Sequence, residues 1–110
     1  IIQHMDAEEP YLDGDLTLRQ MADQTDLPPR YISQVINEQL GQSFTEWVNE
    51  HRVDAAKDLL ADEAYQHLTV IAVAHEAGFN SKSTFYSAFK RQTGTTPAAY
   101  RREQQASSVA

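Results

Sequence analysis

"AGFNSKSTFYSAFKRQTGTTPAAYR" occupies residues 77–101, and its reading decides the fold of the chain. Gly78 stands where a chain leaving one helix needs a positive φ, and Asn80 or Ser81 is placed to cap the next helix. Phe85, Ala88 and Phe89 recur at i, i+3 and i+4, which predicts a helix with one apolar face. Gly94 falls where a helix C-terminus favours glycine, and Thr96-Pro97 opens a further helix. The stretch therefore reads as helix, tight turn, helix. It also holds Lys82, Lys90, Arg91 and Arg101 without one acid, in a chain of formal net charge -7.

The same pattern occurs earlier. "LTLRQMADQTDL" at 16–27 aligns with "LTVIAVAHEAGF" at 68–79, and "GQSFTEW" at 41–47 aligns with "GTTPAAY" at 94–100. The offset changes from 52 to 53 residues between these anchors, so the second copy carries one more residue near its turn. Two diverged copies of one helix-turn-helix unit explain this economically. Thr17 and Thr69 are suited to N-caps, Gln20 completes a capping box, and "DLPPR" places Pro29 at a first helical position. Ile32, Val35 and Ile36 repeat the apolar stripe of the second copy, and Gly41 matches Gly94.

Between the copies lies "SFTEWVNEHRVDAAKDLLADEA". Ser43 and Glu46 form a capping box, and Phe44, Trp47, Val48, Ala55, Leu59 and Leu60 mark an apolar face. A helix over residues 44–61 is roughly 27 Å long at 1.5 Å per residue, a rigid strut. The expectation is an all-α fold of about seven helices, two helix-turn-helix units joined by a long linking helix. Its parts are a first unit at 16–42, a linking helix at 43–62, a second unit at 68–95 and a closing helix at 96–104. Residues 1–15 form an acidic lead-in, a helix end followed by a turn at Pro10 and Gly14, and residues 105–110 a frayed tail.

At 110 residues the chain makes one domain. No apolar run approaches the ~20 residues that cross a bilayer. The first residue is Ile, with no signal-peptide pattern after it, so the chain is expected to be a fragment of a larger protein. It has no Cys, hence no disulfide framework and no thiolate metal site, which suits the cytoplasm. Charge is unevenly spread. Residues 1–79 carry four basic side chains against fifteen acids, whereas residues 80–102 carry five basic side chains and no acid.

Two such units on a strut suit double-stranded DNA, because the strut is close to the ~34 Å of one helical turn. The matching pieces "LTLRQMA", "LPPRYISQVINEQLGQSFTEWVNEHRVDAAKDLL" and "AHEAGFNSKSTFYSAFKRQTGTTPAAYR" resemble the DNA-binding domain of AraC-type bacterial transcription regulators. The resemblance covers residues 16–102 and implies a seven-helix fold with two reading helices, regulating transcription. "PYLD" at 10–13 is similar to the version that follows a membrane-embedded sensor. Further implied partners are RNA polymerase and a second copy of the full-length protein, joined through upstream segments. The implied location is the cytoplasm, with tethering to the inner membrane in the full-length protein.

By that resemblance the base-reading positions are Arg30, Ser33, Gln34 and Asn37 in the first unit and Lys82, Ser83, Tyr86 and Ser87 in the second. Ser81, Thr84, Lys90 and Arg91 are placed for phosphates, which position without specifying. Periodicity agrees, since these residues lie opposite the apolar stripes. Family members usually have basic residues late in the first reading helix; here Asn37 and Glu38 stand there, Glu38 aligning with Arg91. Glu38→Lys is therefore expected to strengthen binding to any duplex while leaving sequence preference alone. The acidic lead-in adds repulsion, so the fragment's own affinity is expected to be modest.

Enzyme chemistry finds no footing. His4, His51, His67 and His75 have no ligand spacing, no serine has a nucleophile-elbow context, and no Gly-rich phosphate loop exists. No cofactor, metal or catalytic residue is expected. The remaining alternative is a protein-interaction module of the same fold that has lost DNA binding. The acidic first half argues for it, and the acid-free second unit argues against it.

Overall fold

The computed structural model describes residues 5 and 7–109, with side chains as far as residue 105; His4, Asp6 and Ala110 lie outside the described residues. A 3₁₀ turn at Pro10–Leu12 precedes α1 (Leu18–Thr25), α2 (Pro29–Leu40) and α3 (Phe44–Ala61). A second 3₁₀ turn at Glu63–Tyr65 leads to α4 (Val70–Glu76), α5 (Lys82–Thr93) and α6 (Pro97–Val109). The fold is all-α, with six α-helices among the described residues and helical backbone also at residues 5, 7 and 8.

Local chemistry sets the boundaries. The Thr17 hydroxyl accepts from the Gln20 N–H at 3.1 Å while the Gln20 side-chain oxygen accepts from the Thr17 N–H at 3.0 Å. Ser43 and Glu46 repeat this box at the start of α3. Thr69 caps α4, and of the two candidates before α5 it is Ser81 that caps, accepting from the Thr84 N–H at 3.3 Å. Helices α2 and α5 end alike, on Gly41 at φ 65° and Gly94 at φ 79°. Such caps each contribute about 1 kcal/mol and, more usefully here, fix where a helix begins.

The two copies keep one register. Pro29 and Lys82 open α2 and α5, Leu40 and Thr93 end them, and both pairs differ by the same 53 residues. Each unit has its own core. Met5, Met21, Ile32, Ile36, Trp47 and Val48 fill the first; Val53, Leu60, Val73, Phe79, Phe85 and Phe89 fill the second. Helix α3 runs through both, so the units share one rigid element rather than a hinge.

Two expectations need correction. Ala55 and Leu59 only flank the second core, and Val53 and Ala56 join Leu60 as the fully buried α3 residues there. The reason is that α3 turns one face to the first core and another to the second, so a single stripe cannot describe it. The closing helix also does not fade at Gln105 but runs to Val109. No Gly or Pro follows Pro97, and residues 102–106 are good helix formers, so nothing in the chain stops it.

The lead-in packs against both halves. Arg52, 9% exposed in the middle of α3, donates from Nε to the Tyr11 carbonyl at 2.7 Å and from Nη2 to the Asp13 carbonyl at 3.0 Å. Its Nη1 donates to Asn49 Oδ1 at 3.2 Å. Burial pushes the guanidinium pKa down, and the nearby Asp13 charge partly opposes that. Asn80 Nδ2, one residue before the α5 cap, donates to the Gly14 carbonyl at 2.8 Å and to Asp15 Oδ1 at 3.2 Å. Gly78, at φ 98°, leaves room for this strap: a Cβ there would lie 2.2 Å from the Tyr11 carbonyl oxygen.

Candidate nucleic-acid interface

On α2 the inward positions are Ile32 and Ile36, essentially without exposure, and their counterparts on α5 are Phe85 and Phe89. Burying these four is what turns the opposite faces outward. Arg30, Ser33, Gln34 and Asn37 are all exposed and line one shallow open groove with Pro29 and Glu38. The structure thus brings the four predicted readers of the first unit together. Within this groove Gln34 Nε2 donates to Glu38 Oε1 at 3.0 Å.

The second face is built differently. Lys82, Ser83 and Ser87 are exposed, whereas Tyr86 is half-buried, its ring edge-on to Phe85 at 5.7 Å. Lys82 Nζ stands 5.7 Å from the Tyr86 ring centroid, a cation–π contact that holds the ammonium on the outer face. Ser81 Oγ is engaged as the helix cap and lies 3.2 Å from Ser83 Oγ, and Thr84 is exposed beside them.

Lys90 and Arg91 are exposed in the last turn of α5, where the helix dipole favours cations. They differ in surroundings. Arg91 borders a groove between α3 and α5 that also holds Gln42, Glu46, Asn49 and Glu50. The Glu46 carboxyl is held below its ordinary range, chiefly by the Ser43 backbone N–H and hydroxyl and to a lesser degree by Arg91. Arg91 thus lies in the field of an acidic neighbour, Glu46.

Charge counting along the chain overstated the free positive surface. Arg101 is half-buried, with Nη1 donating to the Leu68 carbonyl at 2.7 Å and Nε and Nη2 enclosed by the fold. Arg52 is likewise spent on the lead-in. Lys82, Lys90, Arg91 and Arg102 remain exposed in the second half. The roles of Arg52, Asn80 and Arg101 had no signature in the sequence, because each side chain bonds backbone carbonyls far away along the chain.

A helix-turn-helix domain family model matches residues 21–103. The chain is 30% identical over 102 residues to the regulatory protein PocR of Salmonella typhimurium, covering 93% of this chain and 32% of that protein. It is also similar to the C-terminal domain of the two-component response regulator yesN from Fusobacterium nucleatum, at 30% identity and TM-score 0.70 over 86% of this chain and 88% of that one. The C-terminal domain of AraT, a response regulator from Geobacillus stearothermophilus, matches at 30% identity and TM-score 0.72 over 86% and 76%. The chain spans 11% to 33% of the length of the first three curated regulators it matches.

Proposed function

Since the chain belongs to the AraC-type helix-turn-helix family of DNA-binding transcription regulators, we propose that it grips double-stranded DNA with α2 and α5 in successive major grooves. The observation that carries this is the matched pair of reading helices, same length and register, each with its apolar side buried and its polar side free, on one continuous α3. Arg30 suits guanine, and Gln34 and Asn37 suit adenine, by bidentate geometry. Lys82, Ser83, Tyr86 and Ser87 form the second reading face. Ser81, Thr84, Lys90 and Arg91 hold phosphates.

The same reading places the domain in the cytoplasm as the DNA-contacting end of a longer regulator. A second copy, joined through upstream segments, supplies avidity to a fragment whose own grip is modest. RNA polymerase is the further partner, and the "PYLD" likeness points to a membrane-embedded sensor upstream.

Selection of bound duplexes from a random pool tests the docking mode. A motif of two blocks centred about one helical turn apart, roughly 10–10.5 bp, is expected. A single block, or no enrichment, would overturn it. Arg30→Ala and Gln34→Ala should each relax preference at one or two positions by roughly 1–3 kcal/mol. Equal losses on specific and random duplexes would instead assign these side chains to phosphates.

Salt titration separates the phosphate contacts. Lys90→Ala should weaken binding to all sequences alike and flatten the slope of log affinity against log salt by about one unit. Arg91→Ala should flatten it less, because Glu46 already occupies part of its field. Unchanged slopes for both would remove these two residues from the backbone contacts.

A further inference from the structure

Glu38 is a negative charge late in α2, where Arg91 stands in α5. Its position says more. Glu38 Oε1 accepts the Gln34 amide N–H at 3.0 Å, one turn along α2, and both side chains are exposed in the groove shared with Arg30 and Asn37. A glutamine amide carries an acceptor on one side and two donors on the other, and turning it by 180° exchanges them at almost no steric cost. A free Gln34 therefore presents either group to a base edge. An ionised carboxylate accepts only, so beside Glu38 only the NH₂ side of Gln34 can face inward.

We infer that Glu38 is a positioning residue that locks the Gln34 amide in one orientation and so makes this position selective for adenine; this rests on Gln34 being a base reader. With one N–H held by Glu38, the amide offers its carbonyl oxygen and its second N–H outward. That ordered acceptor–donor pair complements the N6 donor and N7 acceptor of adenine in the major groove. The device belongs to the first unit alone. At the equivalent places of α5 stand Ser87, without an amide to orient, and Arg91, which borders the groove holding Glu46. The carboxylate's repulsion of phosphate is thus the cost of a fixed reading head, and the expectation that Glu38→Lys leaves preference unchanged gives way to the opposite one.

The test compares wild type, Gln34→Ala, Glu38→Ala, Glu38→Gln and the double alanine variant by selection from a randomised duplex pool, with fluorescence anisotropy on one selected and one random duplex. Gln34→Ala should erase preference at one adenine. Glu38→Ala should weaken preference at that same base pair roughly three- to tenfold, the range of one hydrogen bond, while raising affinity for the random duplex. Glu38→Gln donates as well as accepts, so it no longer fixes the Gln34 amide; it should lose preference at that base pair much as Glu38→Ala does, while binding random DNA more tightly. The double variant should show no further loss at that position. An unchanged adenine preference in Glu38→Ala, alongside higher affinity on both duplexes, would reduce Glu38 to a charge and overturn the inference with Gln34 still a reader. A two-block motif that survives Gln34→Ala without loss at any position would remove Gln34 as a reader, and the inference with it, but leave the docking mode standing.

Discussion

Gly78→Ala should cost the domain roughly 2–6 kcal/mol, combining the strain of a left-handed backbone with overpacking against a fixed neighbour. The residue sits at φ 98°, and the new Cβ would approach the Tyr11 carbonyl oxygen to 2.2 Å, the Leu12 Cα to 3.0 Å and Arg52 Nε to 3.1 Å. Two of those atoms are backbone and cannot swing aside, and the third belongs to the guanidinium that binds the same carbonyl. The strap must therefore lift away from Arg52, leaving a buried cation short of acceptors. Gly94→Ala supplies the control. Its φ is 79° but nothing lies within 4 Å of the added carbon, so it should lose only about 1–2 kcal/mol. Urea denaturation of both variants decides the matter. Equal midpoints would mean that the strap does not press on the turn.

Trp47→Ala should lose about 3–5 kcal/mol, a large share of the roughly 5–15 kcal/mol by which a domain is stable. The indole is 4% exposed, lies edge-on to His51 with ring centroids 5.2 Å apart, and meets Phe44 at 6.4 Å. Met5, Met21, Ile32 and Ile36 pack in the same core, and they can refill the space only in part. Trp47→Phe keeps most of the contact and should fall well short of that loss. Thermal melts of the two variants separate these outcomes. An alanine variant melting with wild type would show that α3 does not anchor the first unit through this ring.

The elements legible from the sequence were those written in local chemistry. Thr17 with Gln20, Ser43 with Glu46, and the glycines at 41, 78 and 94 announce helix ends through neighbours three or four residues away. The span Phe44–Ala61 therefore emerged with its limits correct. The outward faces of α2 and α5 were legible too, because Ile32/Ile36 and Phe85/Phe89 define their opposites. What escaped was how the cations are shared out. Arg52 reaches Tyr11 across 41 residues and Arg101 reaches Leu68 across 33, and a backbone carbonyl leaves no mark in a sequence. The Gln34–Glu38 contact lay at ordinary helical spacing, but charge alone drew attention to Glu38. The end of α6 was missed for a simpler reason, the lack of any residue that stops a helix.

The strap at residues 10–15 separates two properties of a regulator. Arg52 fastens it to the long helix, and Asn80 fastens it beside the residue that caps α5. The turn that leads into α5 is therefore tied to a carbonyl 66 residues earlier in the chain, outside both helix-turn-helix units. On the proposed docking mode, side chains on α2 and α5 choose the letters of an operator, while the strap governs the phase between its two words. Such a molecule can change its base-reading side chains without changing that phase, because the strap is fastened through Arg52 and Asn80, neither of them a proposed reader.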